Sequence, residues 1–280
     1  ERRYGKPASV RLASGHRRYP PEHVTWLRRV AEAIAAGHRP GDLLPLDERG
    51  LDELLARCPQ RVEETTQLAA WTALLLDFDE VGLRTALEGA ARVLPPLRFV
   101  RESVVPFLRH VGCCWSDGAL EVRHEHLASQ VVRSCLGALR LRLDRTGASE
   151  PQLLIAGAPH ELHDHPLVML AVLCAARGVP HRFLGGDTPL EEIAAAAREL
   201  GVRDVALTLS LAQRGPASDR VLEQLLAALP ADCGVLVGGA GVRRRVPTPP
   251  GLTIFDSLED FDRWLERKAL RVQDGRSARD

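Results

Sequence analysis

Apolar positions change their rhythm once along this chain, near residue 150. Before that point they recur at helical spacing. Val24, Leu27, Val30, Ala31 and Ile34 form one stripe, Leu68, Trp71 and Leu75 a second, and Leu83, Leu87 and Ala90 a third. Residues three and four apart share a helix face, so each stripe predicts an amphipathic helix. Pro20-Pro21 marks the start of the first helix and Gly37 its end. Further helices are expected near 62–76, 79–94, 97–116 and 121–142, separated by Pro95-Pro96 and by Ser116-Asp117-Gly118. Residues 46–60 break the pattern and read as a linker.

Beyond residue 150 the apolar runs are short: LLIAG, RFLGG, VALTLS, GVLVGG and LTIFDS. Helical stretches alternate with them, which is the pattern of βαβ units in a parallel sheet covered on both faces. The fold class expected is therefore multidomain, α and α/β. A helical bundle over 61–146 precedes a flavodoxin-like (Rossmann-type) doubly wound parallel sheet over 151–267, with a tail at 268–280. In such sheets ligands bind beyond the carboxyl ends of the strands.

Composition narrows the picture. No apolar run approaches the roughly 20 residues that span a bilayer, so no membrane segment is expected. Six cysteines without framework spacing fit reduced thiols in a cytoplasm rather than a secreted disulfide scaffold. Charge is balanced overall but uneven: residues 1–45 hold nine Lys/Arg against four Asp/Glu. A basic end on a neutral body suits a polyanion such as nucleic acid, and equally a solvated surface. The chain opens with ERRYGKP and no Met, and reads as N-terminally truncated.

Chemistry-bearing residues gather after the first strand of the sheet. His160, Glu161, His163, Asp164 and His165 lie within GAPHELHDHP, and Glu161 and Asp164 could each orient the His163 imidazole. A solvated polar loop is the plain alternative. A closed zinc site would need four ligands at recognisable spacing, which the chain lacks, and adjacent Cys113-Cys114 have no two-residue gap. No nucleophile elbow or H-E-x-x-H helix is present, so hydrolytic chemistry is poorly supported. Thr208 and Ser210 end the third strand with small hydroxyls, and Gly238 and Gly239 end the fourth, where backbone or ligand can approach closely.

These residues resemble the cobalamin-binding domain of methionine synthase, corrinoid shuttle proteins and related regulators. The resemblance implies that His163 is the lower axial ligand of cobalt and Glu161 its orienting partner. It also implies that Thr208, Ser210, Gly238 and Gly239 line the pocket for the displaced nucleotide tail. In the bundle, Trp115 followed after nine residues by Glu125-His126 resembles the cap of adenosylcobalamin-dependent light-sensing repressors. There these three residues cover the upper face of the corrin and the adenosyl group. The N-terminal RRYGKP and GHRRYPPEH resemble the wing of MerR-family regulators, which makes residues 1–45 a partial winged helix-turn-helix. Arg2, Arg3, Arg17 and Tyr19 then fall on phosphate-contacting positions.

The resemblance implies a MerR-family regulator with a C-terminal cobalamin-binding domain. Adenosylcobalamin would sit between bundle and sheet and govern a homo-oligomer, dimer or tetramer, on double-stranded operator DNA. Two departures stand out. Pro166 replaces the glycine of the D/E-x-H-x-x-G motif, and Ser116 stands where light-ligating members carry a histidine after the tryptophan. A cobalamin-independent regulator acting through protein–protein contacts and a corrinoid shuttle serving a methyltransferase are the rival readings.

Overall fold

The computed structural model describes residues 10–11, 17–35, 38, 40–56, 65–145, 147, 149–161, 164–210, 215–242 and 248–277. The chain divides into two compact units, residues 1–86 with 104–131 and residues 87–103 with 132–280.

In the first unit two short antiparallel strands, β1 (Val10–Arg11) and β2 (Arg17–Arg18), place Val10 opposite Arg18. Helix α1 (Pro21–Ala35) follows two residues after β2, with proline at its first position as expected. Its buried face keeps part of the expected stripe, since Val30 is buried and Ile34 packs against the same core. Val30 and Ala33 are buried and Trp26 packs beside them, whereas Val24 and Ala31 face outward. The Trp26 indole sets this rotation, donating from Nε1 to the Leu46 carbonyl at 2.9 Å.

A short turn, α2 (Pro40–Leu43), leads to α3 (Glu48–Ala56). This helix lies inside the segment expected to be a linker. Leu51 and Leu55, at i and i+4, are buried with Leu43, Val30 and Ala33, and Asp47 Oδ1 accepts the Gly50 N–H at 2.8 Å to start the helix. Pro45 and Gly50 disguise the pattern in sequence.

Helices α4 (Thr66–Leu76) and α5 (Glu80–Val93) match expectation closely. Thr65 caps α4, its hydroxyl accepting the Leu68 N–H at 3.2 Å. The stretch expected as one helix near 97–116 is continuous but not uniform. It runs as α6 (Pro96–Phe99), a π-helical turn (Val100–Val104) and α7 (Val105–Ser116). Pro106 is the physical reason: its ring would meet the Glu102 carbonyl in a regular α-helix, and it donates no hydrogen bond. Helix α8 (Val122–Leu143) completes the helical region. Trp71 of α4 meets Phe107 of α7 edge to face, ring centroids 5.2 Å apart.

The second unit carries five parallel strands: β3 (Leu153–Ala156), β4 (His181–Gly185), β5 (Asp204–Thr208), β6 (Gly234–Gly238) and β7 (Leu252–Phe255). All five are those expected, and their spatial order β4-β3-β5-β6-β7 is the flavodoxin-like one. Alternate residues serve the two faces. Leu154, Val205, Leu207, Val235 and Val237 join the core under α10 (Leu190–Leu200) and α11 (Pro216–Ala228). Leu153, Ile155, Ala206 and Leu236 join the core under α9 (His165–Ala176) and α12 (Leu258–Ser277).

Residues 268–277, expected as tail, extend α12. Lys268 Nζ reaches Asp204 Oδ2 at the start of β5, at 2.6 Å, and both side chains are largely buried. Arg177 at the end of α9 pairs with Asp262 and with Glu266 of the same helix. These partners lie far apart in sequence and no local pattern announces them. No helix among the described residues is long and apolar enough to cross a membrane.

Candidate functional site

The carboxyl edge of the sheet is built by backbone fitting into backbone. The loop after β5 and the loop after β6 interlock: Leu209 N donates to the Gly238 carbonyl at 3.0 Å, and Gly241 N donates to the Leu209 carbonyl at 2.9 Å. Gly239 takes φ +107°, and a Cβ there would lie 2.4 Å from the Leu209 carbonyl oxygen. A Cβ on Gly241 would lie 2.1 Å from the Ser210 carbonyl oxygen. Both positions exclude any side chain. Gly238 pairs with Thr208 across the ladder, so hydroxyl and glycine ends are neighbours as expected.

The loop after β3 is fixed in the same way. A Cβ on Gly157 would lie 2.7 Å from the Gly186 Cα, and the Thr188 N–H reaches the Gly157 carbonyl at 2.9 Å. His160 holds φ +67°, with its N–H donating to Asp187 Oδ1 at 2.7 Å. Glu161 is buried, 1% exposed. Its Oε2 accepts the Ser210 N–H at 2.8 Å, so this carboxylate ties the β3 loop to the β5 loop.

Two hydroxyls at this edge are unusual. Thr208 Oγ1 and Ser210 Oγ are buried, and neither has a hydrogen-bond partner among the described residues. A buried hydroxyl without a partner costs about 1–3 kcal/mol, and an ordered water or a polar group of a bound molecule can complete it. Together with glycines that let a ligand come close, they fit the tail of a corrinoid.

His163 and Leu162 lie outside the described residues. Of their neighbours, Asp164 pairs through Oδ2 with Arg133 of α8 at 2.7 Å. Its Oδ1 is buried without a hydrogen-bond partner among the described residues, with His165 Nδ1 standing 3.8 Å away. Pro166 has a simple structural role: it occupies the first turn of α9, where a missing N–H costs nothing. The position that is glycine in the resembling motif here starts a helix.

In the first unit Trp115 is half-buried near the end of α7, and the Arg28 guanidinium lies 5.9 Å from its ring centroid. Glu125 and His126 sit in the first turn of α8. The Ser129 hydroxyl donates to Glu125 Oε1 at 2.7 Å, while His126 is exposed with Nε2 3.7 Å from Glu125 Oε2. His124 is engaged differently: its Nδ1 accepts the Glu121 N–H at 3.0 Å and its ring rests on Phe78.

Ser116 is fully buried. Its hydroxyl donates to Glu32 of α1 and lies 3.5 Å from Arg29 Nη1. Arg29 also pairs with Asp117 and, at 2.9 Å, with Asp52 of α3. Burial works against the Arg29 charge, but the Asp117 hydrogen bond and the three surrounding carboxylates outweigh it and hold its pKa above the usual arginine value. Of the expected DNA-contacting residues, Arg2 and Arg3 lie outside the described residues, Arg17 is in β2, and Tyr19 is exposed just beyond it.

Sequence reasoning missed Gly157, Gly241, Arg133 and the α1 residues Arg28, Arg29 and Glu32. A second glycine two positions after Gly239 was the one signal available; the others act across long sequence separations.

A family model described as a B12 binding domain matches residues 67–140, the region of α4 to α8. The HTH-type transcriptional repressor CarH of Myxococcus xanthus is 30% identical over 276 residues, 94% of this chain and 90% of that protein. Among solved structures, the monomethylamine corrinoid protein of Methanosarcina barkeri aligns with a TM-score of 0.55 at 14% identity. It covers 72% of this chain and 96% of its own, which is a likeness of fold. The match to a B12 binding domain and the identity to the CarH repressor over nearly the whole chain together define a cobalamin-binding regulator. The chain belongs to the CarH family of transcriptional repressors.

Proposed function

We propose that this protein is a regulator, not an enzyme, that binds adenosylcobalamin and uses it to control its hold on operator DNA through oligomerisation, with light as the signal. The identity to the CarH repressor over nearly the whole chain carries this reading. When bound, adenosylcobalamin supplies a cobalt–carbon bond that light can break. His163 would hold cobalt from below. Glu161 keeps the β3 and β5 loops together, and the Thr208 and Ser210 hydroxyls would donate to the nucleotide tail over Gly238 and Gly239. Trp115, Glu125 and His126 would face the adenosyl group. Arg2, Arg3, Arg17 and Tyr19 would contact phosphates, each weakly, so that a dimer or tetramer multiplies the affinity.

The test is an absorption spectrum of protein mixed with adenosylcobalamin in the dark, gel-filtered and then illuminated, with oligomer size followed throughout. A retained corrin band and a light-dependent change of size are expected. A retained band without a change of size removes the light switch. No retained band removes His163 as a ligand and favours a regulator that works without cobalamin. The corrinoid-shuttle reading keeps one supporting observation, the fold shared with the methylamine corrinoid protein. The strand pair β1–β2 and the basic N-terminal segment favour DNA over a methyltransferase partner.

A further inference from the structure

The residue after Trp115, Ser116, is buried against the helix that follows β2. Four consecutive residues at the end of α7 meet one face of α1. The Arg28 guanidinium lies over the Trp115 ring and 3.5 Å from where a Gly118 side chain would begin. The Ser116 hydroxyl donates to Glu32, and Arg29 holds Asp117. Positions 28, 29 and 32 are one helix turn of α1, so the contact is a patch and not a single pair. Arg29 is also fixed from behind by Asp52 of α3, which leaves it little freedom to follow α7 without moving α1 and α3 as well.

We propose that this patch is a latch that relays occupancy at Trp115 to the β1–β2 strand pair. The relay rests on the reading of Trp115 as a cofactor-facing residue. A ligand stacked on the indole fixes the end of α7. Through Arg28, Arg29 and Glu32 that end fixes α1, whose first residue follows β2 after only Tyr19 and Pro20. Ser116 is thereby assigned to the latch. Its hydroxyl, buried on Glu32, takes no part in holding cobalt, and the signal leaves the sensor through charge pairs inside one chain, in addition to any change of assembly. The bistable element is the α1–α7 contact, made or released.

Hydrogen exchange of the α1 backbone, read by mass spectrometry on the full chain with and without adenosylcobalamin in the dark, tests this. In the unaltered protein the corrinoid is expected to slow exchange across α1 roughly tenfold. Asp117→Asn, which leaves the Arg29–Asp52 pair in place, is expected to retain the corrin band to the same extent and to lose the slowing. If Asp117→Asn lowers the yield of folded protein, Ser116→Ala removes only the hydroxyl to Glu32 and carries the same comparison. Retained corrinoid with α1 still slowed to the same degree in both variants overturns the latch and leaves the cobalamin reading intact. No corrinoid retained by the unaltered protein overturns the cobalamin reading, and the relay with it.

Discussion

The two regions that carry the candidate site residues are held by different forces. At the carboxyl edge of the sheet, backbone fits into backbone: Gly239 and Gly241 against Leu209 and Ser210, Gly157 against Gly186. At the end of α7 the geometry rests on side-chain charge, with Arg29 among Asp52, Asp117 and Glu32. The first arrangement has one shape and no graded alternatives. The second can weaken, strengthen or let go, as a moving part requires. The proposed binding platform and the proposed latch are thus distinguishable by what holds them.

Substitutions can break this contrast. The largest effect is expected from Gly239→Ala, since φ +107° and a carbonyl oxygen 2.4 Å from the new Cβ leave no relaxed solution. Denaturant midpoints should show a loss of about 2–4 kcal/mol, and corrinoid retention should fail. Glu161→Ala comes next. It strands the half-buried Ser210 N–H, and a loss of about 1–2 kcal/mol is expected in the same measurement.

Thr208→Val sharpens the comparison by reversing the sign. It replaces a buried hydroxyl that has no hydrogen-bond partner among the described residues with a methyl group, so the ligand-free protein should gain about 1 kcal/mol while holding corrinoid less tightly. Asp117→Asn, at the charge-held end, should cost no more than about 1 kcal/mol, because Asp117 is partly exposed.

A last prediction concerns pH. Burial pulls the His181 imidazole below its usual value, more strongly than the Val179 carbonyl and Asp144 raise it. Below about pH 6.5 the unfolded chain takes up a proton that the folded chain refuses, so stability falls as pH drops towards the folded value. The slope from this group is at most about 1.4 kcal/mol per pH unit, and His181→Gln should flatten it in melting curves recorded between pH 7 and pH 5, that is, over roughly two units.

Legibility followed sequence distance. The five strands were readable because each is a short apolar run between helical stretches, and covering both faces of the sheet makes such runs continuous. Helices α4, α5 and α8 were readable from their spacing. Helix α3 was not, because Pro45 and Gly50 hide a core contribution made by Leu51 and Leu55. The last turns of α12 read as tail because Lys268 looks like any surface charge until Asp204 is brought beside it. The α1 stripe was right at Val30 and Ile34 and wrong at Val24 and Ala31, because the spacing rule counts apolar residues equally, while the Trp26 indole has a hydrogen-bond partner to reach. At the site, Thr208, Ser210, Gly238 and Gly239 sit at strand ends that periodicity locates. The Glu161–Ser210 tie and the Arg133–Asp164 pair join residues that only folding brings together.

The two buried hydroxyls, which have no hydrogen-bond partner among the described residues, reach beyond the binding event. If a bound ligand is what completes the Thr208 and Ser210 hydroxyls, a ligand present at 100 times its dissociation constant stabilises the folded chain by about 2.7 kcal/mol. Inside a cell a difference of that size sets how often a molecule opens far enough for proteases to seize it. Copies that find their cofactor should therefore outlive those that do not. The number of regulator molecules would then follow the vitamin supply even before any promoter is read.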